Sequence, residues 1–167
     1  SQASRVDHEI MGQNLTLVDL ASLIANFVKM RRQTYAEHKL HLDMPELPVM
    51  VRVNESRLVQ VLDNVLSNAI SFSPKWQKVK FVLRRQATNN TAVLDIIDAG
   101  PGIPENKLET VFDRFYSERP SDEKFGEHSG LGLSIARQII NAHNGQLTAH
   151  NQVEGGACFR LTLPLES

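Results

Sequence analysis

The stretch from Asn54 to Pro74, NESRLVQVLDNVLSNAISFSP, carries the clearest structural signal in the sequence. Asparagine is favoured immediately before a helix and proline ends one, so these two residues mark the boundaries of a helical segment. Between them, apolar side chains recur at the i, i+3, i+4, i+7 spacing that gathers them on one helical face. That face comprises Leu58, Val61, Leu62, Val65, Leu66, Ala69 and Ile70. We therefore predict an amphipathic helix over residues 54–72 that packs against a core.

Segments on both sides of this helix predict further helices and strands. A second helix is expected after Asp19 and a third over residues 131–143, with a short helical piece within residues 105–115. Apolar runs bounded by turn residues predict strands at residues 40–44, 49–53, 79–85, 92–97, 146–151 and 157–163. This order predicts an α/β (α+β) two-layer sandwich, in which a mixed sheet is covered on one face by helices.

The composition is ordinary for a soluble globular protein. The chain has 167 residues, of which 41% are apolar and 22% are charged, and its formal net charge is −1. This balance provides no bulk positive field for nucleic acid or anionic lipid, so a polyanionic ligand needs a local pocket. No apolar run approaches the roughly 20 residues of a membrane-spanning helix. Cys158, within a predicted strand, is expected to be a core residue.

Three polar side chains border the apolar face of the helix over residues 54–72. Asn64, Asn68 and Ser71 fall within one arc of the helix at about 100° per residue. An asparagine carbonyl is a neutral oxygen ligand suited to Mg²⁺, which usually keeps several waters and binds substrate phosphates. The alternative is that these are half-buried polar groups satisfied by the backbone.

A second motif, DAGPGIP over residues 98–104, directly follows the strand predicted at residues 92–97. A carboxylate at a strand end can accept a hydrogen bond from a ligand amine, and the two glycines let the backbone approach the ligand. The alternative is a tight turn that begins with aspartate, a favoured turn residue.

A third motif, SGLGLS over residues 129–134, opens the last predicted helix. Glycines at a helix N-terminus let backbone N–H groups point at an anion, and the helix dipole adds to the attraction. The motif is not a dinucleotide-binding fingerprint, because Ile135 stands where the third glycine belongs, and it lacks the Gly-Lys-Ser/Thr of a Walker A loop. The long connection between the second and third motifs is typical of a lid or binding loop.

In combination these motifs resemble a known family. An Asn-x-x-x-Asn helix, a strand-end Asp-x-Gly-x-Gly, the FDRFY cluster at residues 112–116 and a Gly-Leu-Gly-Leu helix start occur in this order. They resemble the N, G1, F and G2 boxes of the histidine-kinase branch of the GHKL (Bergerat-fold, HATPase_c type) ATP-binding superfamily. The resemblance covers residues 19–165, with an ATP lid at about residues 99–129. It implies a Bergerat fold and the catalytic, ATP-binding domain of a two-component sensor histidine kinase.

The resemblance also implies roles for individual residues. Asp98 would hydrogen-bond the adenine amino group, with Gly102 allowing close approach, and Asn68 would coordinate the Mg²⁺ that bridges the phosphates. Asn64 would support the phosphate end, while Phe112 and its aromatic neighbours would anchor the lid. The other expected nucleotide contacts are Ser71, Phe72, Gly100, Ile103, Tyr116, Gly130, Leu131, Gly132 and Leu133.

Departures from the family pattern bear on nucleotide affinity. Many relatives carry a basic residue that reaches the phosphates where Ser71 stands, and Asn or Asp where Ala99 stands. Residues 100–129 hold four basic side chains against seven acidic ones, so the lid provides no general electrostatic attraction for ATP. We expect a modest affinity for ATP, with phosphate contacts from one positioned side chain or from Mg²⁺ and backbone amides.

The residue at position 64 bears on the reaction. Superfamily members that hydrolyse ATP typically place a glutamate there, one helical turn before the metal-binding asparagine, as a general base for water. Asn64 is an amide and cannot take that proton at neutral pH. We therefore expect transfer of the γ-phosphate of Mg·ATP to a histidine. The alternatives are a nucleotide-sensing interaction module without transfer activity and a GHKL-type ATPase.

The phosphoacceptor histidine is expected outside this chain. His8 lies in Asp-His-Glu-Ile, which lacks the Arg/Lys-Thr/Ser-Pro continuation of the family's acceptor motif, and His143 is expected to cap or pack a helix. Residues 1–14 resemble a remnant of the second dimerisation helix and a linker, which leaves residues 15–167 as the catalytic domain. The resemblance implies the missing dimerisation domain and a response regulator as partners. It also implies a monomeric fragment of a homodimeric kinase, located in the cytoplasm below an inner-membrane anchor.

Overall fold

The computed structural model describes residues 15–114 and 132–166. Two single-turn 3-10 helices, Glu105–Lys107 and Thr110–Phe112, follow the fifth strand. None of the helices in these ranges is long and apolar enough to cross a membrane. The strands and longer helices, in chain order, are β1 (Thr16–Asp19), α1 (Leu20–Thr34), β2 (Lys39–Asp43), β3 (Met50–Val53), α2 (Glu55–Phe72), β4 (Lys78–Gln86), β5 (Thr91–Ile97), α3 (Gly132–Ala142), β6 (Gln146–Asn151) and β7 (Ala157–Pro164).

Five strands form the main sheet in the order β2-β4-β5-β7-β6. β2 runs parallel to β4, and the crossover that a parallel pair requires passes through β3 and α2. The other neighbours in this sheet are antiparallel. β1 and β3 pair with each other in a separate two-stranded sheet. The mixed sheet and its helices confirm the predicted α/β (α+β) sandwich.

The starts of α1 and α2 are set by the capping residues that the sequence predicts. The Asp19 carboxylate accepts a hydrogen bond from the N–H of Ala21 at 3.1 Å, and the Asn54 side-chain oxygen accepts one from the N–H of Arg57 at 3.0 Å. Each bond satisfies a backbone donor that the first helical turn leaves without an intrahelical partner. α2 ends at Phe72, two residues before the proline expected to stop it.

The core lies between the main sheet and the helices α1, α2 and α3. Alternate residues of the central strands point into it, and in one row Phe81 lies opposite Ile96, which lies opposite Phe159. All three are at most 2% exposed, and Phe27 of α1 packs on Phe81 with ring centroids 6.2 Å apart. Cys158 is buried, as predicted, and burial raises the pKa of its thiol to about 12. This cysteine is therefore a protonated structural residue at neutral pH.

Several predicted elements differ from those observed. β1 was not predicted, because a strand of four residues is too short to show a period of its own. The helical piece expected within residues 105–115 consists of two separate 3-10 turns. The strands expected at residues 40–44 and 49–53 are both present, as β2 and β3, but they join different sheets. Strand partners are chosen by tertiary packing, which a local pattern does not record.

Candidate functional site

Asp98 follows β5 at the edge where the central strands end. Its backbone N–H donates to the Ala157 carbonyl oxygen at 2.9 Å, which extends the pairing of β5 with β7 by one residue. Its side-chain Oδ1 accepts hydrogen bonds from the N–H groups of Gly100 at 2.9 Å and Ala157 at 3.0 Å. Among the described residues, no hydrogen bond reaches Oδ2. The protein thus holds one oxygen of this carboxylate and leaves the other open to a donor.

The surroundings of Asp98 make its charge costly. The residue is 5% exposed, and burial raises the pKa of its carboxyl, while the two backbone hydrogen bonds act in the opposite direction. A buried carboxylate with one oxygen unpaired is stabilised by a ligand N–H that reaches it. Groups with such displaced pKa values are common at functional sites.

The loop over residues 98–103 packs directly on the end of α2. A Cβ on Gly100 would stand 2.5 Å from the Phe72 carbonyl oxygen, closer than real contacts allow. The N–H of Ala99 donates to Ser73 Oγ at 3.0 Å. Gly100 is therefore required for contact between two parts of the protein itself.

The turn between β6 and β7 supports the same loop from another side. A Cβ on Gly156, which has a φ of +88°, would stand 2.2 Å from the Asp98 carbonyl oxygen. Asn151 Oδ1 accepts a hydrogen bond from the N–H of Ile103 at 2.8 Å, and Asn151 Nδ2 donates to the Ile103 carbonyl oxygen at 2.6 Å. The same Oδ1 lies 2.8 Å from where a Cβ on Gly102 would be. A segment distant in sequence thus fixes the backbone of the loop.

Sequence reasoning missed Asn151, Gly156 and Ser73 as residues of this site. Asn151 is only the last residue of the strand predicted at residues 146–151, and Gly155 and Gly156 lie in the connection to the next predicted strand. The two adjacent glycines were the one available signal. A simple hairpin turn needs fewer residues with the conformational freedom of glycine than a turn that also packs against another backbone. Asn151 and Ser73 carry no local signal.

α2 and α3 lie side by side and are tied at both ends. Near the loop, Asn64 Nδ2 donates to the Gly132 carbonyl oxygen at 3.0 Å. At the other end, His143 Nε2 accepts a hydrogen bond from the N–H of Asn54 at 3.0 Å, and Nδ1 donates to the Ile139 carbonyl oxygen at 2.8 Å. Burial lowers the pKa of His143, which favours this neutral form. The predicted packing role of His143 is confirmed.

Asn68 lies one helical turn beyond Asn64 and is 5% exposed. Within residues 15–114 and 132–166, no hydrogen bond reaches its side-chain amide. Ser71 Oγ donates to the Asn68 carbonyl oxygen at 2.7 Å, so this hydroxyl bonds within its own helix. The same ranges contain no group of three or more His, Cys, Asp or Glu side chains that could hold a metal ion. A metal beside Asn68 would take its other ligands from water and substrate.

The segment after the loop is joined to α3 through Arg137. Its guanidinium lies 3.9 Å from the centroid of the Phe112 ring, donates to the Glu109 carboxylate and bonds the Leu147 carbonyl oxygen at 3.1 Å. Phe112 is buried and meets Phe159 edge-on, with ring centroids 6.1 Å apart. The root of the expected lid is therefore packed into the core.

Three predicted nucleotide contacts lie outside the described residues, namely Tyr116, Gly130 and Leu131. Phe115, expected to anchor the lid, and His8, rejected as the phosphoacceptor, lie outside them as well. Within them, the second half of α2 runs past both the loop and the start of α3, with Ile103 and Leu133 half-buried against the core. The structure thus gathers at one end of the fold the predicted residues Asn64, Asn68, Ser71, Phe72, Asp98, Gly100, Gly102, Ile103, Gly132 and Leu133.

The chain is similar to a family and to individual proteins. Residues 53–167 match the family of histidine kinase-, DNA gyrase B- and HSP90-like ATPases. The chain is 38% identical over 178 residues to the sensor protein ChvG of Rhizobium meliloti (strain 1021), covering 98% of this chain and 30% of ChvG. The mycobacterial sensor histidine kinase MprB superposes with a TM-score of 0.76 at 29% identity, covering 91% of this chain and 98% of that chain. The histidine kinase ThkA, in its complex with the response regulator protein TrrA, superposes with a TM-score of 0.76 at 24% identity, covering 91% and 42%.

Proposed function

Because this chain belongs to the family of histidine kinase-, DNA gyrase B- and HSP90-like ATPases, as an ATP-binding catalytic domain of the sensor histidine kinase type, we propose that it binds Mg·ATP and donates the γ-phosphate to a histidine on a separate dimerisation domain. The observation that carries the proposal is the buried Asp98 carboxylate, held on one oxygen and open on the other. The chain spans 30% of the length of ChvG, and we propose that the acceptor histidine lies in a part of the kinase other than this domain.

In this proposal, Asp98 recognises the base. Its Oδ2 accepts a hydrogen bond from the exocyclic amino group of adenine, while Oδ1 stays with the backbone N–H groups of Gly100 and Ala157. Guanine carries an oxygen at the corresponding position and would face the carboxylate with a second acceptor, so the contact selects adenine. Gly102 lets the backbone approach the base, with Phe72, Gly100 and Ile103 around it.

Asn68 is the proposed metal ligand, and its surroundings fit that role. A buried amide without a partner in the described part of the chain gains from coordinating a cation. A single neutral oxygen ligand suits Mg²⁺, which completes its shell with water and phosphate oxygens. When bound, the ion neutralises phosphate charge. The chain's contribution is to hold the amide on a rigid helix.

Asn64 and the start of α3 form the proposed phosphate end. The bond from Asn64 Nδ2 to the Gly132 carbonyl oxygen holds the first residue of α3 against α2, one helical turn from Asn68. A helix N-terminus presents unpaired N–H groups and the positive end of the dipole to an anion. Ser71, Gly130, Leu131, Leu133 and, from the lid, Tyr116 complete the proposed contacts.

Transfer is favoured over hydrolysis by the chemistry of position 64. Asn64 has already committed its amide nitrogen to Gly132, and an amide takes no proton from water at neutral pH. The site therefore positions ATP and stabilises its charge, which are the main contributions that phosphoryl transfer requires. The nucleophile comes from the acceptor histidine.

The proposed partners follow from the same relatives. ThkA was solved in complex with a response regulator protein, and we extend such a partner to the full kinase that contains this domain. We also propose the kinase's own dimerisation domain as a partner, a homodimeric full-length kinase with a monomeric isolated domain, and a cytoplasmic position beneath a membrane anchor.

Calorimetry of ATP binding in the presence of Mg²⁺ tests the site. Asp98→Ala removes the charged oxygen proposed to accept the hydrogen bond from adenine, and it should weaken ATP binding by about 10- to 100-fold. The matched control is Asp43→Ala, which removes an exposed carboxylate from β2. Equal ATP affinity in the wild-type chain and Asp98→Ala would exclude Asp98 as the base-recognition residue.

Labelled ATP tests the reaction. The parent kinase, or this chain mixed with its upstream helices, is incubated with γ-labelled Mg·ATP. Acid-labile label on the upstream segment is the expected product, because phosphohistidine is acid-labile. Release of free phosphate without labelled protein would identify an ATPase, and binding without either product would identify a nucleotide-sensing module.

A further inference from the structure

We propose that Asn151 is a positioning residue of the nucleotide site, which holds the loop over residues 98–103 through the backbone of Ile103. This inference rests on the proposed binding of ATP and extends the site to β6, which contains none of the four motifs. Asn151 does not belong to the set that the sequence pattern assigns to the nucleotide. Its effect on ATP acts through the loop.

The contact is a two-way hydrogen bond between one side chain and one backbone unit. Oδ1 of Asn151 accepts from the Ile103 N–H at 2.8 Å, and Nδ2 donates to the Ile103 carbonyl oxygen at 2.6 Å. The side-chain amide thereby makes the same pair of hydrogen bonds to Ile103 that the backbone of a neighbouring strand would make. An amide supplies both an acceptor and a donor in this geometry, whereas an ionised carboxylate only accepts.

The position of Asn151 in the sheet gives the contact its leverage. Asn151 lies opposite Ala157 in the pairing of β6 with β7, and the N–H of Ala157 donates to Asp98 Oδ1. One pair of facing residues therefore holds both ends of the loop, Asp98 through Ala157 and Ile103 through Asn151. Between these ends, Gly100 rests on the last turn of α2. The Ala99 N–H also donates to Ser73 Oγ at 3.0 Å, so side chains hold the loop at Ala99 and at Ile103. Of these two side chains, only Asn151 bonds both the N–H and the carbonyl oxygen of its loop residue.

The same amide also restricts the second glycine of the loop. Its Oδ1 lies 2.8 Å from the place of a Cβ on Gly102, whose φ is +89°. Its Nδ2 also approaches Glu105 Oε1 at 3.4 Å. Asn151 thus faces a backbone carbonyl and a carboxylate on its donor side, which predicts a specific response to loss of that donor.

Two variants separate positioning from packing. Asn151→Ala removes both bonds and should weaken ATP binding about tenfold, with the Ile103 N–H losing its protection from hydrogen exchange. Asn151→Asp keeps the acceptor but turns a charged oxygen toward the Ile103 carbonyl oxygen and Glu105. Its protonated carboxyl can donate where the carboxylate cannot, so the ratio of its ATP Kd to the wild-type Kd should fall as pH is lowered.

Two controls complete the experiment. Gln152→Ala changes the next residue along the turn, and Val28→Ala lowers stability by opening a cavity under α1. Both should keep wild-type ATP affinity and a protected Ile103 N–H. Failure of the wild-type chain to bind ATP would contradict the proposed function. The hydrogen-exchange measurement would still show whether Asn151 holds the backbone of Ile103. Wild-type ATP affinity in Asn151→Ala, or an Asn151→Asp Kd ratio that is independent of pH, would overturn the inference.

Discussion

The loop over residues 98–103 forms one side of the candidate site. The junction of α2 with α3 at Asn64, Asn68 and Gly132, which we call the cleft, forms the other side and is built by different means. The loop packs tightly against neighbouring backbone. A methyl group on Gly100 would collide with the end of α2, and one on Gly156 would collide with the Asp98 carbonyl oxygen. The cleft depends on side-chain amides. A Cβ on Gly132 there would lie 3.7 Å from the nearest Asn64 atom, an ordinary contact.

The difference shows which part of the site is complete on folding. In the loop, backbone groups satisfy one another and hold one oxygen of Asp98, so the geometry proposed for base binding is preorganised. In the cleft, the Asn68 amide has no partner in the described part of the chain. In the proposed function, Mg·ATP supplies the partner that this side lacks. A variant that crowds the tightly packed backbone of the loop should therefore affect folding first, and a variant of the unpaired Asn68 amide should affect ligand binding first.

The largest effect is expected at Gly156. Gly156→Ala places a Cβ 2.2 Å from the Asp98 carbonyl oxygen at a φ of +88°, and should lower the free energy of unfolding by about 3 kcal/mol through overpacking and backbone strain. The control is Gly155→Ala, at a φ of +104° with nothing within 4 Å of its Cβ, which should lose only about 1–2 kcal/mol. Urea denaturation measures both. Equal losses would show that the contact with Asp98 has no cost.

A smaller effect, confined to the ligand, is expected at Asn68. Asn68→Ala should lower the Mg²⁺-dependent part of ATP affinity about tenfold and leave the affinity in chelator unchanged. Calorimetry with Mg²⁺ and with EDTA gives the two values for the variant and the wild-type chain. A variant whose affinity responds to Mg²⁺ as before would exclude Asn68 as the ligand.

The tie across the cleft should contribute less than the loop contacts. Asn64→Ala removes one hydrogen bond to the Gly132 carbonyl oxygen, and should lower the free energy of unfolding by about 1 kcal/mol, because the tie at His143 remains. Asn89→Ala, in an exposed turn at the far end of β5, is the matched control and should change stability by less than about 0.5 kcal/mol. A loss of stability in Asn64→Ala as large as that in Gly156→Ala would contradict the expectation that the loop contacts contribute more than the tie between α2 and α3.

Two buried ionisable groups, Asp98 in the loop and His143 at the far end of the α2–α3 contact, should make stability respond to pH in opposite directions. His143 has a lowered pKa in the folded chain, so the stability it contributes is present above about pH 6.5 and is lost as pH falls through its folded pKa. Asp98 has a raised pKa, so its contribution is fully present below its ordinary value of 3.8 and is lost as pH rises through its folded pKa. Each single proton changes stability by at most about 1.4 kcal/mol per pH unit. Urea denaturation between pH 4 and 8 should show a weaker acid-induced loss in His143→Gln and a larger one in Asp98→Asn; unchanged profiles would contradict both assignments.

The sequence predicted the elements of the fold better than their pairing. α2 was predicted with both its ends, because the caps and the apolar spacing that define a helix lie within its own residues. The parallel pairing of β2 with β4 was not predicted, because it depends on contacts between segments separated by β3 and α2. The short β1 was missed because four residues show no period of their own and because its partner β3 lies beyond α1.

The candidate site follows the same division. Asp98, Asn64, Asn68 and Gly132 could be selected because each belongs to a motif of closely spaced residues with recognisable chemistry. Asn151 could not be selected, because its contact with Ile103 joins segments that share no pattern. The motifs identify groups that we propose to face the ligand, whereas the residues that hold those groups in place are defined by tertiary contacts.

The central pairing of β5 with β7 has a consequence for how this site arises during synthesis. β4 and β5 are joined by a short turn and can pair early, whereas β7 follows α3 and β6 in the chain. Pairing between distant strands is slow, because the entropy of closing the intervening chain is lost before the contacts form. The backbone of Ala157, at the start of β7, bonds Asp98 twice: its carbonyl oxygen accepts from the Asp98 N–H, and its N–H donates to Asp98 Oδ1. Competence to bind the nucleotide is therefore one of the last properties the domain acquires, and a nascent chain arrested before Ala157 should have the β4–β5 hairpin but no ATP affinity.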